Sequence, residues 1–180
     1  MRSRNFIKLD RETIVVAHNI RSVLNVGSIL RSSEGLGVRE VFATGYTPNL
    51  QFATDGSNAK LLPHVREKLS RELHKTALGA EEIIDFQFRK DVFDLIRELR
   101  EKGFLIVGLE QDSRAIALLD FSRKNDSAKI ALILGEEVNG LTKELRKSCD
   151  VLVEIPMFGR KESFNVSVAT GICLYEFSRK

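Results

Sequence analysis

The sequence is poor in the features of secreted, membrane-spanning or metal-dependent proteins. Its 180 residues include only two cysteines and three histidines. Cys149 and Cys173 lie far apart in apolar surroundings and form no C-x-x-C, so a disulfide is not expected and buried free thiols are. His18, His64 and His74 have no ligand-like spacing among themselves or with the cysteines, which argues against a metal site. No run of about 18 apolar residues occurs, and Met1-Arg2-Ser3-Arg4-Asn5 lacks the apolar region of a signal peptide. A cytoplasmic chain with no membrane partner is therefore expected. Nucleotide fingerprints are missing too. No G-x-G-x-x-G follows the first strand, and Gly135-x-x-x-x-Gly140 continues into Leu141-Thr142 in place of Lys-Ser/Thr, which speaks against a dinucleotide enzyme or a phosphate loop.

What is present suits one α/β domain over 1–180, with a hydrophobic fraction of 43% and therefore enough apolar material for one core. The net charge of +3 is small, but the cations are clustered. Arg2, Arg4, Lys8 and Arg11 crowd the N-terminus, while Lys60, Arg66, Lys68, Arg71, His74 and Lys75 crowd one middle segment. Such clusters can track phosphates, or they can be a solvated face paired with Glu67 and Glu72.

Short apolar runs alternate with helical patterns. Thr13–Ala17, Glu40–Ala43, Glu82–Phe86, Phe104–Leu109, Ile130–Leu134 and Val151–Ile155 read as strands. Helices are expected at 25–35, Pro63–Ala77, Asp91–Lys102 and Lys143–Ser148, the last capped by Thr142. The clearest is Asp91–Lys102, with Val92, Phe93, Leu95, Ile96 and Leu99 on one face. Ala115–Leu119 is ambiguous between strand and helix. Strands apolar throughout and separated by helices predict a mostly parallel sheet covered on both faces, with ligands at the carboxyl ends of the strands.

The closing segment stands out. Val153-Glu154-Ile155-Pro156-Met157 is followed by a polar loop and then Ser163-Phe164-Asn165-Val166-Ser167-Val168-Ala169-Thr170-Gly171, residues too small and polar for a helix that only fills a core. A site is expected there. Three Gly- or Asn-bearing loops leave strand ends, and together they resemble the three motifs of the SpoU/TrmH branch of the SPOUT RNA methyltransferases. The first is Asn25-Val26-Gly27 with Arg31 six residues after the asparagine. The second is Gly135-x-Glu137-x-x-Gly140-Leu141. The third is Ile155-Pro156-Met157 followed by Ser163-Phe164-Asn165-Val166-Ser167, with Phe164 where the family usually has leucine.

The resemblance implies a SPOUT-type fold with a C-terminal trefoil knot, a homodimer, and S-adenosylmethionine-dependent transfer of a methyl group to a ribose 2′-hydroxyl of tRNA or rRNA. A non-catalytic RNA-binding factor on the same fold and methyl transfer to a base are the alternatives. Catalytic candidates are Arg31, Asn25, Glu137, Ser163 and Asn165. Leu134, Gly135, Gly140, Ile155, Met157 and Phe164 are the cofactor candidates, as an apolar slot with close backbone approach. Arg21, Lys60, Arg66, Lys68, Arg71 and Lys75 are the RNA-binding candidates. A guanidinium stays protonated and is a poor general base, so Arg31 either accepts the hydroxyl proton, as proposed for the family, or clamps a phosphate while water takes the proton. It can also merely pair with Glu34. Glu137 is expected to face a cation or a ribose hydroxyl, and Ser163 can be a helix cap. His18 after the first strand reads as a loop hydrogen-bonder.

Overall fold

The computed structural model describes residues 11–52 and 60–179. The candidate cations Arg2, Arg4 and Lys8 lie outside them. In chain order the elements are β1 (Glu12–His18), α1 (Val23–Gly35), β2 (Glu40–Thr44), α2 (Pro63–Ala77), α3 (Ala80–Ile83), β3 (Asp85–Arg89) and α4 (Val92–Glu101). There follow β4 (Leu105–Leu109), β5 (Ile116–Ala117), α5 (Leu118–Lys124), β6 (Lys129–Leu134), α6 (Lys143–Ser148), β7 (Val151–Glu154) and α7 (Val166–Ser178). The seven strands form one sheet in the order β3-β2-β1-β6-β4-β7-β5, and every pairing is parallel.

Alternation along the strands divides the core in two. Val15, Ala17, Leu132 and Leu134 point to the face covered by α1 and α7, where they meet Val26, Ile29, Leu30, Leu174 and Phe177. Ile14, Val16, Ala131 and Ile133 point the other way, onto Leu95, Ile96 and Leu99 of α4 and Leu145 of α6. This two-sided burial is why β6 is apolar without interruption from Ile130 to Leu134. Gly27 has a packing role: a Cβ there would lie 2.6 Å from the Leu73 carbonyl oxygen, so its absence lets α2 lie close on α1.

Several expectations need correction. Glu82 and Ile83 are not strand; they belong to α3, where the Ile84 N–H bonds the Ala80 carbonyl at 2.9 Å and Ala80 and Ile84 are buried one turn apart. The Glu81 carboxylate accepts the Gly79 N–H and pairs with His74, which fixes this turn. Phe93 leaves the apolar face of α4 and is 42% exposed, because the buried stripe centres on Val92, Leu95, Ile96 and Leu99 and Phe93 sits about 100° round from Val92. The ambiguous 115–119 segment is both things, a two-residue strand paired with β7 that runs directly into α5. Arg11 tracks no phosphate. It is buried, and its guanidinium donates to the carbonyls of Ser127, Asn125 and Phe177. Both thiols are free, but only Cys173 is fully buried; Cys149 is part-exposed, and burial still pushes its thiol up to about 12.

Strand order decides which loops meet. Ala17 of β1 pairs with Leu134 of β6, so the loops after these strands leave the sheet side by side. Gly108 of β4 pairs with Ile133 of β6, and Leu109 of β4 with Val153 of β7, which brings the third and fourth strand ends to the same edge. Four loops from distant parts of the sequence thus converge at the carboxyl ends of β1, β6, β4 and β7, where parallel sheets bind ligands.

Candidate functional site

The loop after β6 is closed on itself, with Glu136 and Gly140 exchanging backbone hydrogen bonds of 3.1 and 2.9 Å. Glu137 projects from it toward the loop after β1. Its carboxylate accepts the N–H groups of Arg21 and Ser22 at 3.1 and 3.2 Å and the Asn25 side-chain amide at 3.1 Å. Among the described residues Glu137 pairs with no cation; it satisfies the free amides just ahead of α1. Glu136 beside it takes the arginine, with Arg21 at 3.6 Å, and also accepts from Asn139. Tyr46 joins this corner: burial and a hydrogen bond to Glu136 raise its phenol.

Asn165 caps α7, its oxygen accepting the Ser167 N–H at 2.9 Å, so the capping role weighed for Ser163 is taken by Asn165. The Asn165 amide donates to the Asn25 oxygen at 3.2 Å. A single chain of hydrogen bonds, Asn165 to Asn25 to Glu137, connects the three motif loops. Each amide both donates and accepts, and does so without carrying a charge.

Beside this chain lies an open cavity of about 280 Å³. Leu134, Gly135, Gly140, Ile155, Met157 and Phe164 all line it, together with Glu137 and Ser163. β7 ends at Glu154 rather than Ile155, which releases Ile155 from the ladder to form a wall. Lining residues that the motifs did not point to include Leu109, Glu110 and Gln111 at the end of β4. Glu110 accepts the Leu141 N–H at 2.5 Å, and Gln111 donates to the Glu162 carbonyl at 2.6 Å, so this strand end joins the second motif loop to the third. Their only sequence signal was position, at the carboxyl end of an apolar strand. Five glutamates are among the lining residues (Glu110, Glu136, Glu137, Glu154, Glu162), and among the described residues no lysine, arginine or histidine is. Such a field favours a ligand with net positive charge.

Arg31 is not in this cavity. It is exposed and makes no ion pair with Glu34 or any other described residue. Six helical positions from Asn25 turn it about 240° round α1, off the face that meets Glu137. His18 is the loop hydrogen-bonder expected of it, 2.8 Å from the Thr44 hydroxyl, and burial lowers its pKa against the pull of Asp91. On α7, Ala169 lines the cavity and Thr170 is buried. Among the RNA candidates Lys68, Arg71 and Lys75 form one exposed stripe on α2, opposite the buried Leu73 and Ala77. Arg66 lies seven residues before Leu73 and so falls off that stripe. Among the described residues no helix is long and apolar enough to cross a membrane, and no three His, Cys, Asp or Glu side chains group to hold a metal.

Burial pulls the Glu137 carboxyl upward, but its hydrogen bonds outweigh this and hold it below the ordinary 4.5. A depressed carboxyl stabilises the fold above its unfolded value, and that contribution is lost as pH falls through the folded one. Glu137→Gln cannot titrate. Its melting temperature is expected to lie below that of the wild type at neutral pH, with the gap narrowing as pH drops below 4.5; a constant gap in a calorimetric pH series would refute this.

A model of the SpoU rRNA Methylase family matches residues 56–175. The chain is similar to the 23S rRNA (guanosine-2′-O-)-methyltransferase RlmB of Ralstonia nicotianae, 31% identical with 99% of this chain and 74% of that protein covered. It is similar to the RlmB of Escherichia coli at 30% identity, over 96% of this chain and 62% of that one. Among solved structures it resembles the AdoMet-bound rRNA methyltransferase from Sinorhizobium meliloti, with a TM-score of 0.75, 26% identity, and 93% of this chain and 56% of that one covered. The chain thus spans between 56% and 74% of the length of these three relatives. The parallel sheet, the hydrogen-bonded union of three motif loops and these matches agree: the chain belongs to the SpoU rRNA Methylase family.

Proposed function

We propose that this chain transfers a methyl group from S-adenosylmethionine to a ribose 2′-hydroxyl of rRNA or tRNA, and that it does so as a homodimer. The observation that carries the reading is the cavity: apolar walls at strand ends, with five glutamates among its lining residues. Leu134, Ile155, Met157 and Phe164 suit the faces of an adenine, and the exposed backbone of Gly135 and Gly140 suits its edge. The carboxylates suit a molecule whose sulfonium and ammonium outweigh its one carboxylate. When bound, S-adenosylmethionine supplies a methyl group already activated by its sulfonium.

The remaining work is alignment, and the chain's residues divide it. Asn25, Glu137 and Asn165 hold the loops in register, Ser163 offers a hydroxyl at the cavity mouth, and Arg31 clamps a substrate phosphate. Because Arg31 points away from the cavity of its own chain, the same proposal has it complete the cavity of a second copy. Val168 and Tyr175, 50% and 57% exposed on α7, offer an apolar surface for that contact. The knotted threading implied by the motif resemblance belongs to the proposal too. β7 lies between two earlier strands, β4 and β5, and α7 then returns to α1. Lys68, Arg71 and Lys75, with Lys60, Arg66 and Arg21, position RNA through phosphates without reading sequence.

The test joins two measurements on the full chain. Calorimetric titration should give one saturable site for S-adenosylmethionine and none for a nicotinamide dinucleotide. RNA from cells lacking the gene, incubated with the protein and labelled donor, should yield a 2′-O-methylated nucleoside on digestion. A labelled base methylation, or donor binding without any product, would overturn the ribose assignment.

A further inference from the structure

We propose that the loop Phe158-Gly159-Arg160-Lys161 is an RNA clamp in which Phe158 stacks on a base next to the target nucleotide and Arg160 and Lys161 hold the adjoining phosphates. The inference rests on the RNA-methylating reading and adds to it a contact for the flanking nucleotide. Phe158 is 98% exposed, more than any other large apolar side chain among the described residues. A lone exposed apolar residue is ordinary, but the setting of this one is not. The residues on either side of the loop, Met157 and Glu162, both line the cavity, and Gln111 pins the Glu162 carbonyl at 2.6 Å. The loop is therefore anchored at both ends beside the reacting position while its middle stands in water.

The neighbours of the ring point to a polyanion. Arg160 and Lys161 are exposed and make no ion pair among the described residues. The cavity itself is lined with carboxylates and repels phosphates, so a strand whose ribose reaches it needs cations at the mouth; this loop supplies two of them. An exposed aromatic ring flanked by cations is the arrangement that binds single-stranded nucleic acid: a π-face for any base, charge for the backbone. A second copy of the chain is the less suitable occupant, because two cations beside the ring would have to be desolvated, whereas α7 offers an uncharged apolar surface instead.

The experiment uses the full chain and a fluorescein-labelled single-stranded RNA of about 20 nucleotides and mixed sequence, followed by anisotropy over a salt series. Phe158→Leu is expected to bind about tenfold more weakly with an unchanged salt slope, and Phe158→Trp to bind at least as well as the wild type. Arg160→Gln with Lys161→Gln is expected to lower the slope of log affinity against log salt by about 1.4. Calorimetry with S-adenosylmethionine should give wild-type affinity for all three. The clamp is refuted if Phe158→Leu binds RNA like the wild type, if it loses donor affinity in parallel, or if sedimentation shows that it changes the oligomeric state. Should the wild type fail to bind the donor while Phe158→Leu still weakens RNA binding, the clamp stands and the methyltransferase reading falls.

Discussion

Arg31→Ala is expected to lose methyl transfer by about 100- to 1000-fold while binding S-adenosylmethionine as well as the wild type does. The separation of the two effects follows from position. Arg31 does not line the cavity of its own chain, so its removal leaves the walls around the donor intact. It is exposed without an ion pair among the described residues, so no ion pair of the fold is lost either. What disappears is a planar, two-pronged donor for a phosphate, and misplacing a reacting group by about 1 Å is enough for a loss of roughly 100-fold. Arg31→Lys separates the two roles of the guanidinium. A clamp that needs only positive charge retains part of the activity. Complete loss with normal RNA affinity would reject the simple clamp. Single-turnover transfer measured beside calorimetric donor affinity reads both quantities.

The second large effect is expected from Gly135→Ala, and its cause is the opposite one. A Cβ on residue 135 would sit 2.6 Å from the Leu141 amide nitrogen and closer still to the Gly140 carbonyl. Those are backbone atoms, held by the Glu136–Gly140 hydrogen bonds and by the Glu110 carboxylate on the Leu141 N–H, so neither side can yield. The loop must open, and the cavity wall with it. Donor binding should fall below detection, with destabilisation of about 3 kcal/mol and a melting temperature lower by roughly 6–12 °C. Wild-type donor affinity in a folded Gly135→Ala would show that the loop is not the wall described here.

The two variants also test whether the site is shared. In Gly135→Ala the cavity is spoiled but Arg31 is present; in Arg31→Ala the reverse holds. If Arg31 serves the other copy's cavity, mixing and exchanging the two inactive proteins restores about a quarter of wild-type activity, since half the dimers are mixed and each has one complete site. No recovery on exchange would place Arg31 in its own chain's site.

Much of this was legible in the residues. The uninterrupted apolar run Ile130–Leu134 and its companions determined a parallel sheet covered on both sides, because only a strand buried on two faces needs every side chain apolar. Pro63, Asp91 and Thr142 marked helix starts because their chemistry satisfies or avoids the free amides there. The three motif loops marked the cavity walls Leu134, Gly135, Ile155, Met157 and Phe164. Local pattern failed where a distant partner decided. Glu82 and Ile83 have a strand-like neighbourhood, yet Glu81 binding Gly79 and His74 folds them into a turn of helix. Arg11 looked like part of a basic patch until the carbonyls of Ser127, Asn125 and Phe177 surrounded it.

The tertiary structure alone decided what the motif residues do for one another. Strand order puts β1 beside β6 and β4 beside β7, and from that adjacency follow the Glu137 contacts, the Asn165–Asn25 bond and the entry of Glu110 and Gln111 into the site. No spacing along the chain encodes these meetings, which span up to 140 residues. Periodicity reports which face of an element is buried. Which element buries it, and therefore which side chains meet at the strand ends, is settled only by the packing of the whole sheet.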